Sequence, residues 1–146
     1  MIVGEGHRLM AETGFTGFSA REVARRIGYS IGTIYNVFDS LDHLLVAINS
    51  RTFELWTDYL RQRTDGSSSD RMRALVEAYF DFAREHSRLW MAIYEHRLPP
   101  GMAMPDRDME KRRALTQIVF DEIARQLPAR SDSEVEHLSR SLIATV

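Results

Sequence analysis

The chain has 146 residues, 44% of them apolar, with a net charge of −2 and no cysteine. That length fits one domain, or a small domain joined to a larger one, with enough apolar material for a packed core. The lack of cysteine excludes a disulfide framework and a thiolate metal site, and the charge argues against a general polyanion binder.

Ile2 to Thr13 reads as a first helix, with Ile2, Val3, Leu9 and Met10 inward and Gly4 and Gly6 weakening it. Met1 to Gly6 is too short and polar for a signal peptide, and no apolar run approaches membrane-spanning length. A soluble, cytoplasmic protein with no membrane partner is expected. Gly14 to Phe18 forms a turn. Ser19 then N-caps a helix, Glu22 completes a capping box, and Val23, Ala24 and Ile27 recur at helical spacing before Gly28 stops it. Ser30 caps a second short helix whose apolar side is Ile34, Val37 and Phe38. Two short helices joined by a tight turn are the shape that sets a helix in the DNA major groove; they are also the shape of an ordinary helical hairpin.

Ser40 starts a long helix, with Leu41, Leu44, Leu45, Ile48, Leu55, Trp56 and Tyr59 in one stripe to about Arg63. Its length suits a connector between two subdomains. Thr64 to Ser69 is a flexible loop. Asp70 caps the next helix, with Met72, Leu75, Val76, Tyr79, Phe80 and Ala83 inward, and Ser87 caps a shorter one carrying Leu89, Trp90, Ile93 and Tyr94. Leu98 to Pro105 is irregular because of its prolines and glycine. Asp106 to Leu127 presents Leu115, Ile118, Val119, Ile123 and Leu127. Ser131 and Ser133 offer capping boxes with Glu134 and Glu136 to a last helix bearing Val135, Leu138, Leu142 and Ile143. That helix reaches Val146 with apolar residues still arriving, which suggests truncation.

No strand pattern and no repeat is visible, so the class is all-α. An enzyme is not expected: there is no HExxH, no phosphate loop and no GxSxG. Histidines 7, 43, 86, 96 and 137 lack metal-ligand spacing, and neither metal nor cofactor is implied. Residues 1–48 hold Arg8, Arg21, Arg25 and Arg26 against Glu5, Glu12, Glu22, Asp39 and Asp42, a net charge of −1. A single copy of this segment should therefore hold DNA weakly.

Gly14 to Ala47, GFTGFSAREVARRIGYSIGTIYNVFDSLDHLLVA, resembles the DNA-binding domain of tetracycline-repressor (TetR) family regulators. The specific parts are Gly32-Thr33-Ile34-Tyr35 followed by Phe38, and Ser40 leading to Leu44-Leu45. The resemblance implies a helix-turn-helix DNA-binding domain over 1–47. Over 48–146 it implies a helical effector-binding and dimerisation domain, cut short at its C-terminus. It implies DNA contacts from Ser19 and Arg21, from Ser30, Ile31 and Gly32 at the groove, from the Thr33 and Tyr35 hydroxyls on phosphate, and from Asn36 on adenine or phosphate. Leu41 stands where the family usually has a phosphate-binding lysine, and His43 is the substitute when protonated. The family's basic stretch before the first helix is absent or lies outside this chain.

The same resemblance implies a small, largely apolar effector. Candidate lining residues are Trp56, Tyr59, Tyr79, Phe82, His86, Trp90, Met91, Tyr94 and Met102, with Phe82 and Trp90 off the main stripes and the segment 87–105 as a lid. Glu95, His96 and Arg97 are further possible anchors. Homodimerisation would use the last two helices through Leu115, Ile118, Val119, Leu138 and Leu142. The reading is a ligand-responsive regulator, a repressor of a palindromic operator in double-stranded DNA, with the helix 40–63 as lever. The alternative is a DNA-binding regulator without an effector, controlled by a protein partner or by abundance.

Overall fold

The structure, a computed structural model, describes residues 1–65, 70–127 and 131–145, with side chains up to 141. Among these residues the chain is helical with no strand. The helices are α1 (Ile2–Gly17), α2 (Ala20–Ile27), α3 (Ile31–Val37), α4 (Leu41–Thr64), α5 (Arg71–Glu85), α6 (Ser87–Glu95), α7 (Asp106–Gln126) and α8 (Asp132–Thr145).

Most ends follow local chemistry. The hydroxyls of Ser19, Ser30 and Ser40 accept from the backbone N–H groups of Glu22, Thr33 and His43. Gly28 closes α2 at φ 74° and ψ 25°, a left-handed stop that a Cβ would disfavour. At α8 the capping box closes both ways: Ser131 Oγ accepts from Glu134 N, and Glu134 Oε2 accepts from Ser131 N at 2.9 Å. At α2 it closes only one way, because the Glu22 carboxylate is taken by Arg25 and Arg26. Asp70 makes no side-chain cap, and the residue capping α6 is His86 rather than Ser87, again with no side-chain bond. The first helix runs beyond Thr13 to Gly17, with a kink at Gly14 (φ 74°). Arg88 of α6 donates to the Glu12 carbonyl beside that kink.

The buried stripes are narrower than the sequence pattern. Val37, Leu41, Leu55, Val76 and Phe80 are exposed, whereas Leu75, Ala78, Tyr79 and Phe82 form the inward row of α5. Val76 and Phe80 lie one residue, about 100°, off that row. Phe82, expected off the stripe, is fully buried.

Two cores result. The head core holds Ile2, Leu9, Met10, Val23, Ile34, Leu44 and Ile48, with Leu89 and Ala92 supplied by α6. The second holds Phe53, Trp56, Leu60, Leu75, Phe82, Ile93, Leu115, Val119 and Val135, among others. Between them α4 buries three polar side chains, Asn49, Ser50 and Thr52, each tied to a different helix. Asn49 Nδ2 donates to the Ala92 carbonyl of α6 (3.4 Å), Ser50 Oγ donates to Asp108 of α7 (2.5 Å), and Thr52 Oγ1 meets His7 Nε2 of α1 (3.2 Å). This polar layer sets where α4 leaves the head and enters the second core.

Candidate DNA-binding face and regulatory core

The α2–α3 pair is held from behind. Val23, Ala24 and Ile34 are buried and Ile27 and Phe38 pack against the head core, which fixes α3 with its other sides outward. Gly32, Thr33, Tyr35 and Asn36 are all exposed on α3. Ile31 is half-buried against the head core, so less of it is free for a base than its sequence position suggested. Ser30 Oγ is engaged twice, accepting from Thr33 N and meeting Thr33 Oγ1 at 2.9 Å. Ser19 is half-buried at its cap.

The charges of the head divide sharply. Arg26 bridges Glu5, Glu12 and Glu22, and Arg25 forks onto Glu22 at 2.7 and 2.8 Å. Those bonds, from Arg25 first and then Arg26, hold the Glu22 carboxyl down to about 2. Arg8 pairs with Glu5. Arg21 is exposed and, among the described residues, pairs with no carboxylate, so it is the head arginine whose charge is available to phosphate. His43 is half-buried, its Nδ1 2.8 Å from Ser40 Oγ, which leaves Nε2 as its outward atom. It lines a groove of about 530 Å³ with Val37, Phe38, Ala47, Arg107 and Lys111, between the head and the start of α7.

In the second core the sequence-derived effector residues come together in part. Trp56 and Phe82 stack, with ring centroids 5.2 Å apart and planes 7° apart; Tyr79 lies 4.6 Å from Trp56, and Tyr59 5.5 Å from Phe82. His86 sits 4.7 Å from Phe82. Trp90 is half-buried against this cluster and pairs with the exposed Tyr94 at 4.8 Å. Met91 is exposed, and Met102, half-buried in the segment after α6, is not part of the cluster. His96 turns instead to the head, with Nε2 2.9 Å from Asp42 Oδ1.

Trp56 Nε1 and Trp90 Nε1 are buried without a hydrogen-bond partner, and the Tyr59 and Tyr79 hydroxyls face Glu85 and Tyr94 without a well-formed bond. Buried polar groups are normally paired, so such a grouping asks for an explanation. Burial first, and then the facing Tyr94 hydroxyl, push the Tyr79 phenol well above its ordinary value; burial and then Glu85 act likewise on Tyr59.

Of the residues expected at a dimer surface, Leu115 and Val119 are buried inside this chain's own core and offer nothing to a second copy. The inward stripe of α7 carries them, which a helical wheel alone does not distinguish from an outward one. Ile118 is half-buried against the same core, Leu138 is exposed, and the Leu142 side chain lies outside the described ones. The sequence reading missed Asp108, Arg112 and Glu122. All sit on the inward side of α7, and their signal was charge at helical spacing within an apolar stripe. It also missed Arg88.

No helix among the described residues is long and apolar enough to cross a membrane. Residues 2–48 match the family described as bacterial regulatory proteins, tetR family, and residues 72–146 match the tetracyclin repressor-like C-terminal domain. The chain is 29% identical over 139 residues to the HTH-type transcriptional regulator BetI of Klebsiella pneumoniae, covering 90% of this chain and 71% of that one. It is 29% identical over 119 residues to the HTH-type transcriptional activator FasR of Mycolicibacterium smegmatis, covering 80% of this chain and 54% of FasR. The chain thus spans about half the length of FasR. In fold it is similar to a protein of unknown function from Rhodococcus sp. RHA1 (TM-score 0.76, 23% identity, 99% of this chain and 76% of that chain). It is also similar to the fatty acid degradation regulator FadR of Bacillus halodurans (TM-score 0.65, 12% identity, 99% and 86%).

Proposed function

This chain belongs to the tetR family of bacterial regulatory proteins and is a DNA-binding regulator rather than an enzyme; from that premise we propose that it is a ligand-responsive repressor. It acts in the cytoplasm as a homodimer on a palindromic operator, and a small, largely apolar effector releases it. In the DNA-bound state α3 enters the major groove, with Gly32 and Asn36 toward base edges, Thr33 and Tyr35 on phosphate, and Arg21 as the main charged contact. Two copies are needed because one head brings so little unpaired positive charge.

The observation that carries the ligand reading is the pair of buried, unpartnered indole N–H groups of Trp56 and Trp90, on α4 and α6. Those same two helices build the head core: α4 through Leu44, Leu45 and Ile48, α6 through Leu89 and Ala92. A ligand that parts the aromatic cluster shifts α6 against α4, and α6 carries α1 with it through Leu89, Ala92 and the Arg88 bond to Glu12. Small rotations there change the separation of the two recognition helices in a dimer. The outward side of α8, where Leu138 is exposed, supplies surface for the second copy.

The rival reading, control by a protein partner or by abundance, draws support from the closeness of the Trp56–Phe82 stack, which leaves a ligand little room until the rings move apart. Selection of an operator from random duplexes, followed by binding with and without a panel of apolar metabolites, separates the two. A palindromic operator released by one compound class supports the effector reading. Tight operator binding that no compound alters supports the rival.

A further inference from the structure

The inward side of α7 carries a charge that forms no ion pair among the described residues. Arg112 lies there with Leu115 and Val119, and its guanidinium sits over the Phe53 ring, 4.8 Å from the centroid. Its Nε is buried with no hydrogen-bond partner, and among the described residues Arg112 forms no ion pair. Asp108, one turn earlier, is the carboxylate that acts on it electrostatically, but Oδ1 of Asp108 accepts from Ser50 at 2.5 Å and Oδ2 lies 3.7 Å from Arg107. Burial lowers the Arg112 pKa from its ordinary value, yet a guanidinium stays charged in a protein. A half-buried cation with an unsatisfied donor is expensive and asks for an anion.

Arg112 also borders the aromatic cluster. Phe53, whose face it covers, lies 6.3 Å from Trp56, and Trp56 lies 4.6 Å from Tyr79 and 5.2 Å from Phe82. Arg112 Nε, Trp56 Nε1 and Trp90 Nε1 can only donate. A ligand completing them must bring acceptors. An aromatic-lined space by itself would also suit a quaternary ammonium ion through cation–π attraction. Here a cation already occupies the Phe53 face, and a second one beside it is repelled.

We propose that the effector is an apolar carboxylate, its carboxyl group received by Arg112 and its apolar body entering beside Phe53 as the Trp56–Phe82 stack parts. The proposal rests on the ligand-responsive reading given above. The test uses the whole chain and three matched series: straight-chain carboxylates of six to twelve carbons, the corresponding primary amides, and the corresponding alkyltrimethylammonium ions. Affinity is read by calorimetry and by thermal shift, and operator release by fluorescence anisotropy. Carboxylates should bind about 10- to 100-fold more tightly than the amides of equal length, the range of a charge-assisted bond. Arg112→Gln should bring the two series to equal affinity, and Arg112→Lys should keep part of the preference. If Arg112→Gln does not fold, the ranking of the three series on the unaltered chain decides. Amides or ammonium ions binding as well as carboxylates would overturn the anion assignment and leave the ligand-responsive reading standing. No binding from any series, with operator binding intact, would overturn both.

Discussion

Replacing Arg21 by alanine should change the salt dependence of operator binding more than any other single arginine substitution in the head. Arg25 and Arg26 are already neutralised by Glu22, Glu5 and Glu12, and Arg8 by Glu5, so on the proposed reading Arg21 is the head arginine with charge to offer a phosphate. Each phosphate contact contributes about 0.9 to the slope of log K against log salt, so a dimer losing two of them should lose about 1.8. Over a fourfold rise in salt, from about 50 to about 200 mM, the unaltered protein should then lose about 12-fold more affinity than Arg21→Ala. Arg25→Ala should leave the slope unchanged, since its charge is held by Glu22. Fluorescence anisotropy on a selected operator over a sodium chloride series measures all three slopes. Equal slopes for the unaltered protein and Arg21→Ala, or an equal loss from Arg25→Ala, would refute the division of charge argued here.

Two glycines of α1 should respond in opposite directions. A Cβ on Gly6 would lie 2.6 Å from Ile48 Cδ1, so Gly6→Ala should destabilise by about 1–3 kcal/mol less the gain in helix propensity. Gly4 has open space around it, and Gly4→Ala should stabilise by about 0.5–1 kcal/mol in urea titration. Ser50→Ala removes the donor of the buried Asp108 and should cost about 1–3 kcal/mol, read as a lower melting temperature. His7 is held down to about 4 from 6.5, by burial first and then by Arg51 and His86. Its unfolded form takes a proton more readily than its folded form, so its contribution is present above pH 6.5 and fades as pH falls toward 4. His7→Asn should flatten the fall in stability across that window; an unchanged pH profile would remove His7 as its cause.

Much of the head was readable because its signals are local. Ser19, Ser30 and Ser40 cap from their own side chains, and Gly28 stops a helix by its own backbone freedom. Ile34 and Phe38 fall inward at the expected spacing, while Val37 does not. What failed to show was decided by partners distant in sequence. Whether Phe80 or Phe82 turned inward depended on where Trp56 sits, and periodicity admits both when a helix is apolar on more than one side. Leu115 and Val119 looked the same whether they met α4 or another molecule. Asn49, Ser50 and Thr52 form a polar layer only because α1, α6 and α7 each bring one partner. The lone guanidinium of Arg112 was invisible for the same reason: an unpaired charge is a property of the neighbourhood.

The position of α6 has a practical meaning for exchanging parts among relatives. Leu89 and Ala92 are buried in the same core as Leu44 and Ile34, so a fragment ending near residue 48 would carry an open wound in its interior. Transplanting this head onto a relative's C-terminal domain therefore means moving α6 along with it, or redesigning the surface it covers. Any division of this chain has to reckon with α6 (Ser87–Glu95), which lies well beyond residue 48, where the family's first segment ends, and yet completes the core of the head.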